Sequence, residues 1–200
     1  DPKNFDADDN KEKLGLQGKR VVMFLGTPRP HKGTEELFVA MENIYDPDII
    51  LVLIGADSSV QSNIAKMKNN QDKVIVFPKI PFNKLPDHLS AADILVIPQK
   101  DTTDTIGQIP AKLFDAMAMA KPIITTPIAD IPEVLGGHGY LIEPGNPKQI
   151  AKTIQDIFSN PQDAQMKGEN ARKRCQELYD IKVIKKELTL LIEKLTINRP

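Results

Sequence analysis

Two short apolar runs, residues 21–25 and 49–54, each stop at a glycine, Gly26 and Gly55. Neither run alternates between apolar and polar residues, so a strand built from it needs cover on both faces. That requirement points to a parallel sheet held between two layers of helices. The residues between the runs supply the crossover. Leu37, Phe38, Met41 and Ile44 fall on one face at helical spacing, with Thr34 as the expected N-cap. The unit then repeats. Strands are predicted at 74–77, 94–97, 122–125 and 139–142, and helices at 85–92 and 110–120; Ser58 or Ser59 is expected to cap a helix after the second strand. Three helical stretches close the chain at 147–159, 163–178 and 181–195. The fold class is therefore α/β: a doubly wound parallel sheet of about six strands, helices on both faces, right-handed crossovers and C-terminal helices packing on the sheet.

Two hundred residues suffice for one such domain with a full core. Residues 1–18 are polar and acidic, with Asp6, Asp8, Asp9 and Glu12, and read as a linker or the end of a preceding domain; residues 19–197 form the sheet domain. The opening at Asp1 rather than Met reads as an internal point of a longer polypeptide. A formal net charge of −1 gives no overall field toward nucleic acid, so any phosphate site must be local. A single cysteine, Cys175, excludes an internal disulfide and suits the cytoplasm. No apolar run reaches the ~20 residues of a membrane span. Lys182, Lys185, Lys186 and Lys194 read first as a solvated helix face, with peripheral attachment at a membrane surface as the second option.

In a sheet of this kind ligands bind beyond the carboxyl ends of the strands. Three loops fall there. The first, 26–33, carries Arg29, His31 and Lys32 ahead of a helix N-terminus. Free N–H groups and the helix dipole favour an anion at that place, arginine grips phosphate oxygens as a fork and lysine as a point charge. A diphosphate clamp and a solvated basic turn are both readings of this loop. Its spacing matches neither a P-loop nor a dinucleotide fingerprint. The second loop precedes the helix at 110–120. Gly107 permits unusual backbone angles, Pro110 suits a first turn, and Lys112 and Asp115 lie three apart on one face. Asp115 is either a ribose ligand or the ion-pair partner of Lys112. The third loop, with Lys79 and Ile80, can present backbone groups to a base. His31, His88 and His138 lack metal-ligand spacing, and Asp57, Asp93 and Asp130 read as structural turn residues.

An ordered set of segments then resembles a known family. Phe24-Leu25-Gly26, Lys32-Gly33, Ile54-Gly55, Ala92-Asp93-Ile94, the stretch 112–124, Pro132-Glu133 and Gly139-Tyr140-Leu141-Ile142 are similar to the C-terminal domain of retaining GT-B glycosyltransferases, family 4 or "group 1". The resemblance runs from about residue 20 to about residue 180. It implies a Rossmann-like fold binding a UDP-, GDP- or ADP-sugar. It implies catalysis by Arg29 and Lys32, which would stabilise charge on the leaving diphosphate without a metal. It places donor contacts at Lys79, Ile80, Gly107, Ile109 and Asp115. Two departures stand out. Thr27 occupies the position of the family's usual arginine, with Arg29 as the stand-in, and Gly107 falls where a glutamate holds the donor sugar.

The implied activity is hexosyl transfer, with retained anomeric configuration, to a glycan, lipid or small-molecule acceptor. The implied partner is an N-terminal acceptor domain of the same polypeptide, without which the domain is expected to be inactive. Two alternatives share the architecture: a degenerate nucleotide-sugar-binding module, argued by Gly107 and Thr27, and a sugar-nucleotide epimerase. A receiver-like signalling domain fits less well, because the first strand delivers cations rather than an acidic cluster.

Overall fold

The computed structural model describes residues 5–197. Six strands, β1 (Arg20–Leu25), β2 (Ile49–Ile54), β3 (Val74–Phe77), β4 (Ile94–Ile97), β5 (Ile123–Thr125) and β6 (Tyr140–Leu141), form one sheet. Its order is β3-β2-β1-β4-β5-β6 and every pairing is parallel. The chain winds outward from β1 in one direction and returns past it to β4, so the order reverses between those two strands. A crevice opens at such a reversal, at the carboxyl ends of the strands.

The covering layers follow from strand geometry. Successive side chains of a strand point to opposite faces. Val22 and Phe24 of β1 enter one core, with Leu37, Phe38 and Met41 of α2 (Thr34–Glu42). Val21 and Met23 enter the other, with Leu113 and Met117 of α5 (Ala111–Ala118). β2 is buried along its whole length, as its unbroken apolar run requires. Between these elements lie α3 (Ser59–Lys66) and α4 (Leu85–Ser90). Farther on are α6 (Ile131–Leu135), α7 (Pro147–Ser159), α8 (Pro161–Leu178) and α9 (Ile181–Ile197). Ile150 and Ile154 of α7 join the first core, and Ala171 and Cys175 of α8 join the second.

Four details differ from the sequence reading. The acidic opening, read as a linker or the end of a preceding domain, contains a helix, α1 (Ala7–Lys13). Asp6 caps it, accepting from the N–H groups of Asp8 and Asp9 at 3.0 Å. Lys11 ties it down, with its ammonium 2.7 Å from Asp93 Oδ2, and the same carboxylate oxygen accepts from the Val21 N–H at 2.6 Å. Asp93 thus joins α1 to β1. Thr34 is the first residue of α2 and not its cap; Gly33 holds that place in a left-handed conformation, φ +68°. The short helix α6 was not foreseen, its five residues being too few to show a period. α7 and α8 pack on the sheet layers, whereas α9 stands off them, with Ile181, Leu188, Leu191 and Leu195 exposed.

α8 approaches the end of α5 through Gly168. A Cβ at that position would lie 2.2 Å from the Ala120 carbonyl oxygen. Helix propensity alone favours alanine over glycine by about 1 kcal/mol. The close approach reverses that sign: Gly168→Ala is expected to destabilise the fold by about 1–3 kcal/mol in urea unfolding. A stabilised variant would show that the two helices can move apart freely.

Candidate functional site

The carboxyl ends of β1, β2, β3 and β4 frame two adjoining clefts that share Leu25 and Gly26. Gly26 and Gly55 end their strands with positive φ, and each N–H still bonds the next strand, Gly26 to Ile54 O at 2.8 Å and Gly55 to Phe77 O at 3.0 Å. The backbone therefore turns away at once and leaves the strand ends open.

The inner cleft, of about 310 Å³, is lined by Gly26, His31, Lys32, Gln99, Gln108 and Lys112 among others. Its wall is the loop after β1. That loop is held against the loop after β4, because Gly33 backs onto the Pro98 carbonyl; a Cβ on Gly33 would meet that oxygen at 1.8 Å. The Lys100 N–H donates to His31 O at 2.9 Å, and the Lys100 ammonium reaches Glu36 of α2 at 2.8 Å. The hydrogen bond and charge of Glu36 push the Lys100 pKa up, so this brace stays charged.

Two ammonium groups face this cleft. Lys32 Nζ donates to Thr27 O at 3.0 Å. Its pKa is lowered, first by burial and then by Arg29. Lys112, in the first turn of α5, points back to the end of β1. Its Nζ donates to Leu25 O at 3.1 Å and lies 4.2 Å from the centroid of the Phe24 ring. The pair with Asp115 that the sequence spacing allowed is not formed. Burial, with Lys32 adding to it, lowers the Lys112 pKa to about 7. Gln99 is buried and its Oε1 has no hydrogen-bond partner.

The expected site residues do not all meet here. Lys32 lies in the inner cleft. Arg29 is exposed at the start of the turn Pro30–Lys32 and lines neither cleft. Lys79 and Ile80 line the outer cleft, of about 340 Å³, with Leu85 and the 84% exposed Phe82. Gly107 has φ +82° and open space where a Cβ would stand. Ile109 packs its side chain onto the core, which leaves only its backbone for a ligand. Asp115 lies one turn farther along α5 and lines neither cleft; burial raises its pKa. The sequence reading missed Lys112 as a cleft residue. The signal was its place in a first helical turn, where side chains tilt toward the N-terminus and hence toward the strand ends. Among the described residues no three His, Cys, Asp or Glu side chains gather as a metal site, and no helix is long and apolar enough to cross a membrane.

Lys112 carries a testable cost. Folded it titrates near 7, unfolded at the ordinary lysine value of 10.5. Between these values the unfolded chain binds more protons, so stability gained from this group rises with pH, and its cost is full below the folded value. Lys112→Met keeps most of the stem and removes the charge. Its thermal midpoint is expected above the wild type at about pH 6, with the gap closing toward about pH 10. A gap independent of pH would contradict the desolvation of Lys112.

The family profile described as "Glycosyl transferases group 1" matches residues 6–174. Spore coat protein SA of Bacillus subtilis (strain 168) is 26% identical over 197 residues, covering 92% of this chain and 51% of its own length. The chain spans about half the length of the curated relatives it matches first. Among solved structures, Anabaena HepE in complex with UDP superposes with a TM-score of 0.84 at 18% identity, covering 94% of this chain and 52% of that one. The C-terminal domain of the group 1 family protein LpcC from Francisella tularensis gives 0.75 at 22% identity, covering 90% and 98%.

Proposed function

Because the chain belongs to the group 1 glycosyl transferases, we propose that it is the donor-binding half of a retaining hexosyltransferase, holding a nucleoside diphosphate sugar across the two clefts. The observation that carries this reading is the convergence of cations, backbone N–H groups and an apolar recess at the sheet reversal. The outer cleft takes the base, against Ile80 and the free ring of Phe82, with Lys79 at its edge. The diphosphate lies over Gly26, near Lys32 and the first turn of α5. That turn contains no acidic residue and offers free N–H groups. Arg29 closes over it from the exposed end of the same loop. Asp115, one turn along α5 from that site, is the acid the family resemblance offers to the ribose.

In transfer, the bond between the anomeric carbon and the diphosphate oxygen breaks as the acceptor oxygen bonds to that carbon. Negative charge grows on the leaving diphosphate; Lys32 stabilises it inside the partly dehydrated cleft and Arg29 from the exposed rim. Two cations there make a metal unnecessary. The acceptor, a glycan, a lipid or a small molecule, comes from a separate N-terminal domain of the same polypeptide, so this half alone turns over nothing. The parent works in the cytoplasm, with a membrane surface as the place where a lipid acceptor would be met. Gly107 leaves open space where a side chain would hold the donor sugar, so sugar selection rests on backbone groups and on the other domain.

Calorimetric titration with UDP-, GDP- and ADP-glucose tests the reading. One of the three is expected to bind, and Lys32→Ala to weaken it by about tenfold or more, the effect of deleting a charged hydrogen-bond donor. No binding of any of them at millimolar concentration would leave a degenerate module. On the longer polypeptide, the anomeric configuration of the product read by NMR separates retention from inversion, and a free epimerised nucleotide sugar would mark an epimerase.

A further inference from the structure

The donor reading leaves Lys112 without a role, although it is the most deeply set cation of the inner cleft. Its ammonium has three N–H donors. One is taken by Leu25 O, and the Phe24 ring lies beneath the group. No acidic side chain among the described residues pairs with it. Lys32, on the facing wall, is likewise satisfied only by a backbone carbonyl, Thr27 O. Two like charges share one partly enclosed space; burial lowers the proton affinity of both, with Arg29 adding to it at Lys32 and Lys32 adding to it at Lys112. Gln99, buried in the same cleft, keeps an unpaired carbonyl oxygen. Buried polar atoms are almost always paired, and this acceptor suits a donor group such as a sugar hydroxyl rather than the diphosphate itself.

Resting on the donor reading above, we propose that Lys112 is a second ammonium ligand of the donor diphosphate, meeting it from the floor of the cleft while Lys32 meets it from the wall. The charge count supports this. A bridging diphosphate in a nucleotide sugar carries two negative charges and no group that titrates near neutrality. Two ammonium groups balance it inside the cleft, and Arg29 remains at the exposed rim. The position also suits the missing family arginine at Thr27, because Lys112 reaches the end of β1 from the opposite side.

Without ligand, Lys112 sheds its proton near neutrality. The groups facing it are Lys32 and His31 from the loop after β1, Gln99 from the loop after β4, Gln108 ahead of α5, and Asp115 one turn along its own helix. None of the residues lining the cleft carries negative charge, so an arriving diphosphate is what restores the ammonium form. Donor binding then takes up a proton, and the affinity falls as pH rises through the range above 7.

The test is calorimetry of the chain with whichever of UDP-, GDP- or ADP-glucose binds, at about pH 8 in Tris and in HEPES, whose ionisation heats differ. The wild type is expected to take up close to one proton, about as a lysine shifted from near 7 to its ordinary range requires. Lys112→Met is expected to take up almost none and to bind about tenfold more weakly or worse. Lys112→Arg, charged at every accessible pH, is expected to take up almost none while keeping more of the affinity than Lys112→Met. Circular dichroism melts establish that both variants are folded. Unchanged proton uptake in both variants, or unchanged affinity in Lys112→Met, overturns the assignment and leaves the donor reading standing. Failure of all three nucleotide sugars to bind the wild type overturns the donor reading itself.

Discussion

Gly33 backs onto the carbonyl of Pro98 with no room for a side chain. That contact presses the loop leaving β1 against the loop leaving β4, at the place where the strand order reverses. Lys32 and His31 are carried on the first loop and Gln99 on the second, so one glycine decides that they face a common space. Its left-handed backbone also starts α2, whose first turn then gives Glu36 to Lys100 and locks the second loop in place. Loop geometry, helix start and cleft wall are thus one arrangement, and they stand or fall together.

What the arrangement concentrates is uncompensated positive charge. Several lysines elsewhere meet acids, as Lys11 meets Asp93 and Lys19 meets Asp48, and the buried Lys73 and the partly buried Lys121 each rest on backbone carbonyls. In the inner cleft Lys32 and Lys112 meet only backbone carbonyls and a ring face. Like charges brought together and stripped of water work against folding. A structure that keeps such a pair has them poised for an anion, and titratable groups perturbed by both burial and a neighbour mark functional clefts. On the donor reading proposed above, that anion is the diphosphate of a nucleotide sugar.

Much of this was legible from the sequence, and the reasons are local. Short apolar runs, the first two ending at Gly26 and Gly55, marked all six strands near their places, most plainly β1 and β2, which are covered on both faces. The helical stretch expected from 147 is α7, and there the Asn146 side chain accepts from Gln149 N at 3.0 Å, a cap the sequence reading did not name. The segment holding α1 was read as a linker or the end of a preceding domain because it is polar and acidic; what holds the helix is a tertiary ion pair, Lys11 to Asp93, eighty-two residues apart in sequence. Lys112 and Asp115 share a helix face by spacing, which suggested that they pair. The nearer carbonyl of Leu25 and the face of Phe24 took the ammonium instead, and neither is close to Lys112 in the chain.

By itself, then, the amino-acid order determined the class of fold, the strand ends and the residue types waiting there, since burial on two faces and helical period are properties of neighbours along the chain. Only the folded chain decided which of those residues face one another. Charge neutralisation, desolvation and the fit of a glycine against a distant carbonyl act across space, and they placed Lys112 inside the cleft, left Arg29 at its rim and set Asp115 one turn away.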